Sequence, residues 1–243
     1  MTSEIISVIC GGPGPVLPVG TDVAPGLAYR QILNQDNRFT PCECYQQGFV
    51  YSCWDVLIYM HDDIAIYDPD WHPKVMQLFE SNPDCVCVGL GGATELGREG
   101  LYKRPYRISD MARGGYASNQ RDWAVHGSRI TGSYRVAVVD AFFMAVRSDF
   151  ITNSGGWPVN HLSHHCLDLW VACEAARQGK QVWAIGLDCH HFGGGTSTKP
   201  IYANAKWLQG SDIGIGGLVS EHELPHHWLY ESYRDVLPIR VPR

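Results

Sequence analysis

The chain has 243 residues, 45% of them hydrophobic and 18% charged, with a formal net charge of −6. Such a length accommodates one large domain or two small ones around a sizeable core. The negative balance and the lack of any Lys/Arg run exclude nucleic acid and anionic membrane as main partners.

No apolar run approaches the roughly 20 residues needed to cross a bilayer. The N-terminus lacks the basic-then-apolar pattern of a secretory signal. The nine cysteines read as reduced thiols, mostly in the core, of a cytoplasmic protein.

In chain order, residues 4–10 predict a first strand, ended by Gly11, Gly12, Pro13, Gly14 and Pro15. A Gly-rich turn after a first strand often lies against phosphates, which makes Gly11 and Gly12 candidates for nucleotide binding. The turn lacks both G-x-G-x-x-G spacing and a G-K-[ST] ending. It resembles the Gly-Gly-x-Gly loop of sugar nucleotidyltransferases, but those need an Arg and a Lys nearby, and the next basic residue here is Arg30. Pro18, Pro25 and Pro41 interrupt any long helix. Residues 27–33 fit a short helix or a strand, and residues 44–50 a helix.

The five apolar residues Val56 to Met60 are too few for a free-standing helix and predict a buried strand of a parallel sheet. His61, Asp62 and Asp63 follow directly. Ligands of open α/β sheets bind at the carboxyl ends of such strands. Adjacent acids repel and favour a cation beside them, so Asp62 and Asp63 are candidates to hold a divalent cation carrying a phosphorylated ligand. The plain alternative is a solvated strand end that starts a turn.

Residues 70–79 predict a helix with Asp70 as N-cap and Trp71, Val75, Leu78 and Phe79 on one face. Residues 85–90 predict a strand with the thiols of Cys85 and Cys87 on one side, closed by Gly91 and Gly92. The polar, Gly-rich residues 93–133 show no periodicity. They read as a functional or a mobile loop, or as a solvated excursion. Residues 134–146 are apolar except for Asp140. An acid there is costly to bury without a partner, so it marks a strand boundary or a site.

Gly155, Gly156, Trp157 and Pro158 make a turn, and residues 164–178 a helix with Gly179 as its stop. Leu167, Val171 and Ala175 form its apolar stripe, and Asp168 lies in the first turns, where the helix dipole favours a carboxylate. Residues 181–187 predict a strand, followed by His190 and His191. Strands alternating with helices give an α/β fold with crossover connections. Two carboxylates and an imidazole suit a metal such as manganese, and a separate carboxylate could act as general base. Each residue also has a plainer reading: Asp168 as a dipole partner, the histidines as core or surface groups. His161, His164 and His165 read as a further metal cluster or a polar turn.

Five segments in this order resemble the glycosyltransferase-A fold, and most of all small family 2-like glycosyltransferases with an HDD version of the Asp-x-Asp motif. They are the strand running into His61, Asp62 and Asp63; the apolar run 139–150 with its Arg147; the Gly155-Gly156-Trp157 turn; the helix opening at Asp168; and His190-His191 with the glycines after it. Residues 233–238 resemble the family's C-terminal ending. The resemblance spans roughly residues 48–197 and the last dozen.

It implies one α/β domain over residues 1–243, with a mostly parallel central sheet flanked by helices. Residues 1–92 would be the nucleotide-sugar half, 93–197 the acceptor and catalytic half, and 198–243 a tail. It also implies a metal-dependent transferase that uses Mn2+ or Mg2+ to move a sugar, with inversion, from a UDP- or GDP-sugar to a carbohydrate or other hydroxyl acceptor. Asp63 and His190 or His191 would hold the metal, Asp62 would contact the metal or the donor ribose, Asp168 would be the base, and Trp157 and Asp140 would line the acceptor pocket. Leu167 and Trp170 stand where the family usually has acids. They motivate a non-catalytic carbohydrate-binding alternative, as Gly11 to Gly14 motivate a sugar nucleotidyltransferase.

Overall fold

The computed structural model describes residues 1–9, 27–34, 38–61, 64–97, 115–117, 119–120, 128–163, 166–191 and 223–241. Gly11, Gly12, Asp62, Asp63, His164, His165 and most of the 93–133 segment lie outside them.

The chain starts with β1 (Ser3–Ile9) and β2 (Leu27–Leu33), then α1 (Pro41–Val50). Residues 27–33 are therefore a strand, in parallel register with β1 over its whole length. Pro41 begins α1 rather than interrupting it. At the first helical position its missing N–H removes no helical bond. Thr40 and Glu43 close a capping box: Thr40 Oγ1 accepts from the Glu43 N–H at 3.2 Å, and Glu43 Oε2 from the Thr40 N–H at 2.7 Å. Thr40→Ala is expected to lower stability by about 1 kcal/mol, read as a lower urea midpoint at unchanged slope.

β3 (Val56–Met60), β4 (Ile64–Ile66) and α2 (Trp71–Ser81) come next. Trp71, Val75, Leu78 and Phe79 are all buried, as their spacing predicts. Asp70 precedes the helix but makes no side-chain cap bond. The neighbouring Asp68 accepts from the Asp70 N–H at 3.0 Å and pairs with Lys74 at 2.6 Å.

Then follow β5 (Cys85–Gly89), β6 (Gly91–Ala93), β7 (Glu95–Leu96), β8 (Gly115–Ala117), β9 (Asn119–Gln120) and β10 (Ser128–Arg129). The apolar run after them divides into β11 (Ser133–Val136), β12 (Val138–Val139) and β13 (Phe143–Arg147). The chain continues with α3 (Ser148–Asn153), α4 (Leu167–Arg177), β14 (Gln181–Ile185), β15 (Asp188–His191), α5 (Glu223–Tyr233) and β16 (Ile239–Arg240). Where residues 93–133 are described they form short strands, several of which pair with one another or with β15.

The central sheet has the order β11-β14-β5-β13-β3-β1-β2. Pairing is parallel for β2-β1-β3 and for β5-β14, while β13 runs antiparallel to both β3 and β5. β1, β2, β3, β5 and β14 therefore share one direction, and β13 and β11 oppose them. The mostly parallel, helix-flanked α/β sheet is as expected. α2 covers one face, and α1, α3, α4 and α5 cover the other.

Cys85 and Cys87 do not share a side. The register with β14 shifts between Gln181 and Val182, whose partners are Cys85 and Cys87. This bulge places one extra residue on β5 and turns the strand over. Cys85 joins the α2 side, and Cys87 the opposite side with Val146 and Val182. Burial raises both thiol pKa values, that of Cys85 to about 12, so neither is a ready thiolate. Among the described residues no helix is long and apolar enough to cross a membrane.

Candidate active site

β1, β3, β5 and β14 end on one edge of the sheet. At the end of β3 the His61 N–H donates to Phe142 O at 3.0 Å, which seats the strand end beside the turn between β12 and β13. Asp140 is in that turn. Its N–H donates to Gly91 O at 3.0 Å, and its Oδ1 accepts from the Phe142 N–H at 3.3 Å. Asp140 is thus a strand boundary, partly buried, close in space to the chain that leads into Asp62.

Beyond Asp63, β4 pairs antiparallel with β15, so that Ile64 faces His191 and Ala65 faces His190. The predicted acids and the predicted histidines are far apart in sequence, and this pairing lays their segments side by side. β4 is wholly buried, and His190 is 8% exposed. Among the described residues no three His, Cys, Asp or Glu side chains converge as a metal cluster; both predicted acids lie outside those residues.

Asp168 reaches the same edge on α4. The C-terminal end of that helix is tied to the start of β5: Lys180 Nζ pairs with Asp84 at 2.9 Å, and the Gln181 N–H donates to Asp84 O at 2.9 Å. Gly179, at φ +66°, stops the helix as its position predicts. At 1.5 Å per residue α4 is about as long as β5, roughly 16 Å. Its first turn is therefore carried back to the carboxyl end of β5. Asp168 shares a helix face with Ala172 and Ala175, three and four residues apart around the turns. Both alanines are buried, and α4 packs on β12 and β14. Asp168 Oδ1 accepts the Leu169 N–H at 2.9 Å, so it also serves as a first-turn acid. Cys166, just before the helix, has φ 68°. That left-handed conformation is uncommon for a residue with a side chain, and such strain concentrates at functional sites.

Trp157 is placed differently from expectation. It is 3% exposed, with its indole N–H on the Tyr59 hydroxyl at 2.9 Å. Its ring lies 5.4 Å from Tyr45, 5.0 Å from Tyr59 and 5.0 Å from Trp170. Enclosed by these rings it has no open face for a sugar, so the expectation of acceptor stacking is replaced by a packing role. The turn before it forms as predicted, with Gly155 and Gly156 at φ +82° and +94°.

Glu174 was not singled out from the sequence. It is 2% exposed, accepts from the Tyr233 hydroxyl at 2.9 Å and from Gln178 Nε2 at 2.6 Å, and pairs with Arg177. Burial, and then Glu174, pushes the Tyr233 hydroxyl pKa up, while the Arg177 charge opposes the shift. Glu174 thus joins α4 to α5. The available signal was an acid within an otherwise apolar helix face, three residues before an arginine.

A family model described as a glycosyltransferase like family matches residues 26–191. That span holds β2 to β15 and every predicted site residue except Gly11 and Gly12. A search of curated proteins found no match. Among solved structures the chain is similar to GalNAc-T7 with UDP, GalNAc and Mn2+, at 11% identity and TM-score 0.49, covering 78% of this chain and 43% of that one. It is similar to the mannosyltransferase PcManGT from Pyrobaculum calidifontis in complex with GDP-Man and Mn2+, at 12% identity and TM-score 0.45, covering 83% and 59%. It is also similar to A197 from STIV, at 12% identity and TM-score 0.43, covering 80% and 87%. Likenesses this distant bear on neither substrate nor metal. The family match covers well over half of the chain, from the second strand to the histidine strand: this chain belongs to the glycosyltransferase like family and is a glycosyltransferase.

Proposed function

We propose that this glycosyltransferase moves a sugar from a nucleoside diphosphate sugar, a UDP- or GDP-sugar, to a hydroxyl acceptor with inversion, using Mn2+ or Mg2+. The observation that carries the reading is the β4-β15 pairing, which lays His190 and His191 alongside the chain that leaves Asp63, on the edge where α4 begins. Two carboxylates and an imidazole are a fitting donor set for such a cation. Asp62, Asp63 and one of the two histidines would hold it. When bound, the metal supplies charge neutralisation for a diphosphate leaving group.

Asp168 is the proposed base. In a single displacement it accepts the proton of the acceptor hydroxyl as the oxygen attacks the sugar carbon. Asp140 lines the same pocket, and Gly11 and Gly12, following β1, give the nucleotide its backbone contacts. Residues 1–92 form the donor half, 93–197 the acceptor half, and 198–243 the tail. The buried free thiols support a cytoplasmic setting. The nucleotidyltransferase alternative loses support, because the family matched is one of glycosyltransferases.

A thermal-shift screen of UDP- and GDP-sugars on EDTA-treated protein, with and without added MnCl2, tests the reading. With metal, one sugar nucleotide at a hundredfold excess over its Kd is expected to stabilise the fold by about 2.7 kcal/mol. Equal shifts with and without metal remove the metal from donor binding. No shift with any sugar nucleotide removes the donor.

A further inference from the structure

With Trp157 enclosed, the aromatic surface at the Asp168 end of α4 belongs to a different pair. His161 lies in the loop that leads into Cys166 and α4. Its ring stacks on Trp228 of α5, with centroids 4.4 Å apart and planes 5° from parallel. His161 is exposed and Trp228 is half-buried.

Two paths along the chain place this stack. From Tyr233, whose hydroxyl is on Glu174, the chain runs on to Ile239 and Val241, which line a groove with Gly179 and Lys180 at the C-terminal end of α4. Followed backwards from Tyr233, the chain is α5, which packs on α4. Trp228, edge-on to Tyr233 at 6.1 Å, lies on that stretch. Independently, His161 stands only five residues before Cys166, the residue that opens the helix. The stack is thus at the Asp168 end. It is also on the face of the sheet that α1, α4 and α5 cover.

We infer that the outer face of the His161–Trp228 stack is the acceptor subsite, and that it takes the flat C–H face of a hexose ring. This rests on the proposed transfer reaction. A flat, rigid pair of rings offers contact area at little entropic cost and suits an apolar sugar face whose hydroxyls point sideways into water. The turn that carries His161 is held by its own backbone: the N–H groups of His161 and Leu162 both donate to Pro158 O at 2.9 Å. Ser163 O accepts the Cys42 N–H at 2.9 Å, which anchors the loop to α1. Removing the imidazole therefore leaves the loop in place.

Saturation-transfer NMR on the full chain tests the inference, with the methyl glycosides of glucose, galactose, mannose and N-acetylglucosamine as probes. The wild-type chain is expected to transfer saturation to the C–H protons of at least one glycoside. His161→Ala is expected to weaken that glycoside about three- to tenfold, the scale of one ring contact. His161→Phe, which keeps a flat ring, should restore it. In both variants the thermal shift from sugar nucleotide and manganese should match wild type. If no glycoside receives saturation, or His161→Ala changes nothing, the subsite is overturned. If the sugar-nucleotide shift is absent from the wild-type chain, it is the transfer reading that falls.

Discussion

Replacing Asp168 with Asn is expected to lower the rate of sugar transfer by about a hundredfold or more while leaving the fold and donor affinity as they are. The substitution keeps the size of the side chain and removes its basicity. Asn Oδ1 can still accept the Leu169 N–H that Asp168 Oδ1 accepts at 2.9 Å, so the first turn of α4 retains its bond. What is lost besides basicity is one charge near the helix dipole, about 0.3–1 kcal/mol, too little to unfold the chain. Initial rates at saturating donor, with calorimetry of donor binding, separate the outcomes. A fall in kcat at unchanged donor Kd is the expected result. Loss of donor and metal binding with the fold intact makes Asp168 a ligand. Unchanged rates leave it the dipole partner that its helical position alone allows.

What the sequence made legible follows from how strongly each signal is tied to burial. The apolar run Val56 to Met60 had to be a buried strand, and it is. The face Trp71, Val75, Leu78 and Phe79 had to be covered, and it is. Gly179 had to stop a helix, and its positive φ shows why. Strand direction was not legible. β13 carries the same kind of apolar run as β3 but lies antiparallel between β3 and β5, because a strand buried on both faces reads alike in either direction. The bulge that separates Cys85 from Cys87 was hidden for a similar reason: Cys85, Val86, Cys87 and Val88 are all apolar and fit either face. Pro41 misled, since a proline that breaks a helix and one that starts it differ only in the cap before it. Thr40 and Glu43 supplied that cap. Of the candidate site, the positions of Asp140, Asp168 and the histidine strand could be expected from their place after apolar elements. The pairing of β4 with β15 could not, because β4 is only three residues long and its partner lies over a hundred positions away. The Tyr233–Glu174 link was equally hidden, since only tertiary packing makes an acid on a mostly apolar helix face a buried junction rather than a solvated one.

Trp157→Ala is expected to lower stability by about 3–5 kcal/mol, the range for truncating a buried aromatic. Against a typical net stability of about 5–15 kcal/mol, that is a large share of what holds the fold. The loss has two parts. The void left among Tyr45, Tyr59, Trp170 and the neighbouring apolar groups cannot close easily, because the rings around it are rigid and sit on three different elements, α1, β3 and α4. In addition, the fully buried Tyr59 hydroxyl loses the indole N–H that meets it at 2.9 Å. Trp157→Phe separates the two. It refills most of the void and removes only the donor, so it should cost about 1–3 kcal/mol, the scale of one unmade buried hydrogen bond. Urea denaturation of the three chains gives both differences. The Phe variant also discriminates between a packing role and an acceptor-stacking role for residue 157. A benzene ring still stacks on a sugar but does not reach the Tyr59 hydroxyl. Packing therefore predicts lower stability with unchanged glycoside saturation for Trp157→Phe at a temperature where it stays folded. If Trp157→Ala proves as stable as wild type and loses glycoside binding instead, Trp157 faces the acceptor and its enclosure by Tyr45, Tyr59 and Trp170 is wrong.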